Sequence, residues 1–141
     1  MEAWTPPSGP PKGPAPSRDI FAIMGEEAVF RMCRDFYVRL GASEIGHMFP
    51  ADLEAASQKL ACLLVGLFGG PPLFQSRYGP PALRARHLPF AIDQRARRVW
   101  LQCFEDTLEG ADVTYGFPPA HLAAFRGFLS EFSAWMVNRE G

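Results

Sequence analysis

Lysine is nearly missing from this chain of 141 residues: there are two, against twelve arginines, and the fourteen cations are offset by fifteen acids for a formal charge of -1. A surface so balanced offers no electrostatic footprint for a nucleic-acid backbone or an anionic membrane, and neither is expected as a partner. The arginine excess suits fixed, planar pairing with carboxylates, or reflects codon usage. Cysteine is scarce too. Cys33, Cys62 and Cys103 are odd in number and far apart, with no CxxC spacing for a zinc site, a dithiol couple or a covalent cofactor attachment. They read as small buried hydrophobes in a reducing cytosol. Long apolar runs are absent: the longest, Leu60 to Phe68, stops at Gly69-Gly70-Pro71-Pro72, too short to span a bilayer. The opening Met1-Glu2-Ala3-Trp4 lacks the basic and apolar regions of a secretory signal, so a soluble protein is expected. No segment alternates at period two, which argues against sheet. GxSxG, HExxH and Gly-rich phosphate loops are missing, and with them support for hydrolase or nucleotide-binding chemistry.

Proline is plentiful but uneven. Six of fourteen (Pro6, Pro7, Pro10, Pro11, Pro14, Pro16) precede residue 17. Residues 1–17, rich in Pro, Gly and Ser, bury too little apolar surface to offset chain entropy and read as a disordered tail. Pro7-Ser-Gly-Pro10 matches a PxxP ligand, a spacing that also arises by chance in such a stretch. Residues 18–141, about 124 residues and strongly apolar, suffice for one domain with its own core.

Within that domain the period is helical. Ser17 or Asp19 can cap a short helix ending near Gly25, and Val29, Cys33, Phe36, Tyr37 and Leu40 then share a face that ends at Gly41. A turn of helix over 43–48 ends at Phe49-Pro50. Leu53, Ala56, Leu60, Leu63, Leu64 and Leu67 form the next face, broken by Gly69-Gly70. From Gly69 to Pro81 four prolines predict an irregular stretch, long enough to be a functional segment. A short helix over 81–88 is stopped by Pro89. Asp93 can cap a helix carrying Ala96, Val99, Trp100, Cys103, Phe104 and Leu108; a loop over 111–117 leads to Pro118-Pro119, which open a last helix bearing Leu122, Phe125, Phe128, Leu129, Phe132, Trp135 and Met136. The expected class is all-α, with long helices near 26–40, 52–68, 93–109 and 119–138.

Three histidines, His47, His87 and His121, lack the Cys, Asp or Glu partners needed for a protein-only metal cage. His47 and His121 read as structural or solvated. His87 has unusual neighbours, with Arg84 and Arg86 before it, Pro89 and Phe90 after it and the proline-rich stretch leading in; from residues alone it is either structural or a ligand.

The run Tyr78-Gly-Pro-Pro-Ala-Leu-Arg-Ala-Arg-His87-Leu-Pro-Phe90, preceded by Gly69-Gly-Pro-Pro-Leu-Phe74 and followed by Trp100-Leu-Gln-Cys103, resembles the truncated haemoglobins of group II. Phe36-Tyr37 and Met48-Phe49-Pro50 fall where that family has its Phe-Tyr pair and its haem-wedging aromatic. The likeness covers residues 19–138. It implies a truncated globin, a 2-on-2 helical sandwich around a b-type haem, with His87 as proximal iron ligand and its other ring nitrogen hydrogen-bonded to a nearby carbonyl. It also implies Tyr37 and Trp100 as distal donors to a bound diatomic, although Trp100 as a core aromatic and Tyr37 as a boundary residue remain open readings. By the same likeness Phe49 packs on the haem plane, Ala56 and Leu60 occupy distal gate positions, Leu63, Leu64 and Phe90 add apolar contact, and Lys59 and Arg86 meet the haem propionates or stand solvated. Two departures concern the propionate shell: Gly79-Pro80-Pro81 where the family commonly has Gly-His-Pro, and Phe74 where it has tyrosine.

The leading expectation is a haem protein that binds O2 and related diatomics such as nitric oxide or carbon monoxide, in a bacterial cytoplasm. Its oligomeric state is left open, a homodimer among the options. A second class is a haem redox enzyme, a nitric oxide dioxygenase or a peroxidase-like activity on hydrogen peroxide, which needs a reductase this chain does not encode. The third is a haem-free helical module acting through partners.

Overall fold

The computed structural model describes residues 4–140; the first three residues of the proline-rich tail and Gly141 lie outside them. Among the described residues eight α-helices follow one another: α1 (Ile20–Met24), α2 (Glu26–Gly41), α3 (Leu53–Leu67), α4 (Leu73–Tyr78), α5 (Leu83–His87), α6 (Gln94–Leu108), α7 (Ala111–Thr114) and α8 (Leu122–Met136). Short 3-10 turns at Gly46–Met48 and Pro119–His121 connect them, and no strand occurs among the described residues.

Two of the long helices start where a side chain satisfies an open N–H, whereas α1, for which Ser17 or Asp19 is the expected cap, has Asp19 at its N-cap without a side-chain bond. Asp52 and Asp93 cap α3 and α6, accepting from Ala55 N at 3.0 Å and from Ala96 N at 2.8 Å. Past the end of α3 the chain reverses at Gly69 (φ +97°), where a Cβ would lie 1.9 Å from the Arg18 carbonyl oxygen. That close approach lets Phe21 N donate to Phe68 O at 2.9 Å, tying α1 to α3.

Three boundaries differ from the sequence reading. The stretch from Gly69 to Pro81 is not wholly irregular: prolines frame α4 without entering it, Pro72 stands at its N-cap, Gly79 (φ +82°) closes it, and buried Phe74 anchors it. The loop over 111–117 opens with the single turn α7, anchored by buried Ala111. Pro118 and Pro119 lead into a 3-10 turn, so α8 starts only at Leu122.

Helix α2 packs on α3 and on α6, and α6 on α8, giving two packed pairs. Between them lies an aromatic core. Phe36, Phe68, Phe104, Phe117 and Phe125 are fully buried, with Phe36 and Phe104 centroids 4.1 Å apart and Phe125 packed against Phe68, Phe104 and Phe117. Each such ring contributes about 3 kcal/mol or more to stability through burial. Cys33, Cys62 and Cys103 are buried free thiols. Residues 4–17 contain no helix, and they lie against the body at a few points: Pro6 and Pro16 are buried, Gly13 N donates to Glu131 Oε2 at 2.8 Å, and Trp4 O accepts from Arg84 Nη2 at 3.0 Å. No described helix is long and apolar enough to cross a membrane.

Candidate functional site

One cavity of about 650 Å³ opens beside this core, within the size range of small-molecule and cofactor sites. Every long helix contributes to its wall. From α3 come Ala56, Lys59, Leu60 and Leu63, spaced three and four apart and hence on one face. From α2 comes Tyr37, from the connector after the first 3-10 turn Phe49, from α5 Arg86 and His87, and from α6 Trp100. Phe90 forms part of the rim, 44% exposed. Ten of the eleven residues singled out from the sequence therefore meet at this cavity.

The exception is Leu64. It is 1% exposed, belongs to the core cluster and does not line the cavity. One residue is 100° of helix rotation, so Leu64 shares the inward face of Ala61 and Val65, while Leu63 points to the cavity. The cavity also recruits residues that sequence reading passed over: Ile45, Ile92, Ala96, Arg97, Phe132, Ser133 and Met136 among them. Ala96 with Trp100, and Phe132 with Met136, are i, i+4 pairs, so a helical wheel could have found them once one member was placed. Ile92 sits in a loop and carries no such signal.

His87 is the last residue of α5. Its Nδ1 lies 2.6 Å from the Leu83 carbonyl oxygen one turn earlier. A carbonyl can only accept, so in the neutral ring the proton sits on Nδ1 and the lone pair is left on Nε2. The helix itself thus orients the imidazole. Its entry is unusual: Ala82, at the N-cap, is left-handed (φ +37°, ψ +51°), the one non-glycine residue with positive φ among those described. His47 and His121 stand in the two 3-10 turns, away from the cavity wall.

Tyr37 and Trp100 are set by one ring. Phe36 meets Tyr37 edge-on at 5.5 Å and Trp100 edge-on at 5.4 Å, and Phe49 packs edge-on to Tyr37 at 5.8 Å. Trp100 also touches Phe104 and Phe132, so it is both a core aromatic and a wall residue. The Tyr37 hydroxyl has no hydrogen-bond partner among the described residues. Burial, with a smaller contribution from the neighbouring Cys33, pushes the phenol well above its ordinary range, so it stays protonated and able to donate.

The cations stand at the mouth. Lys59 Nζ lies 5.5 Å from the centroid of the Tyr78 ring. Arg86 spends Nε on Pro81 O (2.7 Å) and Nη2 on Tyr78 O and Pro80 O (2.8 and 2.9 Å), while its guanidinium covers Phe74 at 5.1 Å. It therefore braces the approach to α5. Among the described residues no group of three or more His, Cys, Asp or Glu could hold a metal by itself. A metal at this cavity would need a ligand set that the protein completes with a single imidazole.

A family model described as bacterial-like globin matches residues 20–132. The chain is 36% identical over 90 residues to the group 2 truncated hemoglobin YjbI of Bacillus subtilis (strain 168), a match spanning 63% of this chain and 68% of that protein. Among solved structures, phosphate-bound Hell's gate globin IV superposes with a TM-score of 0.84 at 30% identity, covering 93% of this chain and 81% of that one. The truncated oxygen-avid haemoglobin from Bacillus subtilis superposes with a TM-score of 0.77 at 31% identity, covering 85% and 99%.

Proposed function

Because this chain belongs to the bacterial-like globins, as a group 2 truncated haemoglobin with the 2-on-2 helical fold and the haem-based ligand binding of that family, we propose that it binds O2 reversibly at a b-type haem held by His87. The observation that carries this reading is the oriented imidazole: His87 borders the cavity with Nδ1 engaged by Leu83 O at 2.6 Å. A haem brings four nitrogen ligands of its own and needs one axial donor, which is what a site with a lone, tautomer-fixed histidine supplies. The apolar wall fits a porphyrin face, and the cations at the mouth fit its propionates. The haem iron would supply a coordination position open to small diatomics.

The side chains then divide the work. Leu83 O holds the His87 tautomer, and Arg86 keeps the residues before α5 in place. Phe49, Leu63 and Phe90 offer apolar surface to a flat ring and exclude water. Lys59 and Arg86, both lining the cavity, would supply positive charge to the two propionates. On helices other than the histidine's, Tyr37 and Trp100 each present a hydrogen-bond donor, and the indole N–H can only donate. Ala56 and Leu60 cannot hydrogen-bond, so polarity toward the ligand falls to those two donors. Donors at these two positions would favour a bound ligand that gathers negative charge, as O2 does more than carbon monoxide. The relative named oxygen-avid, similar over 85% of this chain, supports O2 as the ligand.

The test is spectroscopic. Purified protein is expected to carry or take up haem with a Soret band, and His87→Ala to lose it. Oxygenation should reverse on degassing. A protein with no Soret band after reconstitution, or a band indifferent to His87→Ala, would overturn the reading. Sustained nitric oxide consumption with a reductant supplied would instead assign a dioxygenase.

A further inference from the structure

Asn138 lies just beyond α8 and is wholly buried. An amide in that position costs free energy unless its donors and acceptor are used. Here they are. Nδ2 donates to His87 O at 3.2 Å and to Phe90 O at 2.9 Å, and Oδ1 accepts from Ile92 N at 3.0 Å and from Arg139 Nη1 at 3.2 Å. The backbone adds two more bonds, Asn138 N and Arg139 N both donating to Ile92 O, at 2.9 and 3.1 Å. One side chain thus holds three points of the segment 87–92, which starts at the histidine and contains no further helix. Pro89 brings no donor of its own. Asn138 supplies the bonds that secondary structure would otherwise make.

The other side of His87 is gripped from the same place. Arg84, on α5, donates through Nη1 to Trp135 O and to Val137 O (2.9 Å), and its guanidinium lies 4.5 Å from the centroid of the Trp135 ring. Residues 135–139 therefore fasten the chain both before and after the imidazole, about fifty residues away in sequence. We propose that Asn138 is a positioning residue for His87: by pinning the backbone at residues 87, 90 and 92 it sets the tilt and rotation of the ring, and with them the strength of the bond from Nε2 to the haem iron. This rests on His87 being the axial ligand as read above. It gives the C-terminal residues a part in tuning the site. Outer-shell partners of metal ligands commonly change metal affinity by about tenfold or more when removed.

The experiment uses the full-length, haem-loaded protein. Resonance Raman spectra of the reduced, ligand-free form report the iron–histidine stretch, and transfer to apomyoglobin reports haem loss. Asn138→Ala and the isosteric Asn138→Asp, which keeps the acceptor for Ile92 N but not the donors to His87 O and Phe90 O, are expected to shift or split that band and to speed haem loss about tenfold. Tyr115→Phe, a change remote from the cavity, controls for general destabilisation and should leave the band in place. If Asn138→Ala does not fold, Asn138→Asp carries the measurement. A band unmoved in position and width in the Asn138 variants overturns this role while leaving His87 as ligand. A wild-type protein without an iron–histidine band overturns the haem reading itself.

Discussion

Tyr37→Phe isolates a single hydroxyl, and the structure says what should follow. The ring stays, so its edge contacts with Phe36 and Phe49 stay. The hydroxyl has no partner within the described protein, so no folding bond is lost, and the midpoint of thermal unfolding should not fall. What is lost is a donor facing the cavity. A hydrogen bond in a desolvated site contributes about 1–1.5 kcal/mol net, and about 1.4 kcal/mol is a factor of ten. O2 release, followed by stopped-flow displacement with carbon monoxide, should therefore accelerate about five- to tenfold. Carbon monoxide release should change by less than about twofold, because that ligand gathers less charge for a donor to stabilise. Trp100→Leu should speed O2 release as well, and it should also lower stability, since the indole packs against Phe36, Phe104 and Phe132. An unchanged O2 release rate in Tyr37→Phe, with the Soret band intact, would refute the donor role.

Three further outcomes are expected. Gly69→Ala puts a Cβ 1.9 Å from Arg18 O at φ +97°, and should cost more than about 2 kcal/mol in urea unfolding because rigid backbone must move. Asp93→Ala removes the cap on α6 and should cost about 1 kcal/mol, most of it restored by Asp93→Asn. Tyr115 donates to Asp35 Oδ2 at 2.5 Å, and burial, then that bond and the carboxylate's charge, pushes its phenol up to about 12. Its folded value lies above the unfolded one near 10, so its contribution is full below about pH 10 and is lost as pH rises through about 12. Denaturant titrations across that window should show a loss of stability that is smaller in Tyr115→Phe; an equal loss in both proteins would rule the phenol out.

Much of the fold was legible because its signals are local. The faces of α2, α3, α6 and α8 repeat at helical period, and Asp93 caps α6 as its place in the sequence suggests. Proline misled in one place: four prolines between Gly69 and Pro81 suggested an irregular stretch, yet the six residues from Leu73 to Tyr78 contain none and form α4. At the cavity, residues on a regular face were found and the one placed a step too far round the helix, Leu64, was not. At the two departures in the approach to His87, the Pro80 and Pro81 carbonyls accept from Arg86 and Phe74 lies under its guanidinium.

Sequence by itself determined the four long helices, the lack of strands among the described residues and the peculiarity of His87, because periodicity, capping and proline act over a few residues. Tertiary structure alone decided which faces meet around the cavity, that Phe36 sets both Tyr37 and Trp100, and that Asn138 closes the chain onto the histidine segment. Those facts depend on pairing groups distant in sequence. A buried ring or amide takes whichever partner the packed helices bring within reach, and no short stretch of residues encodes that choice.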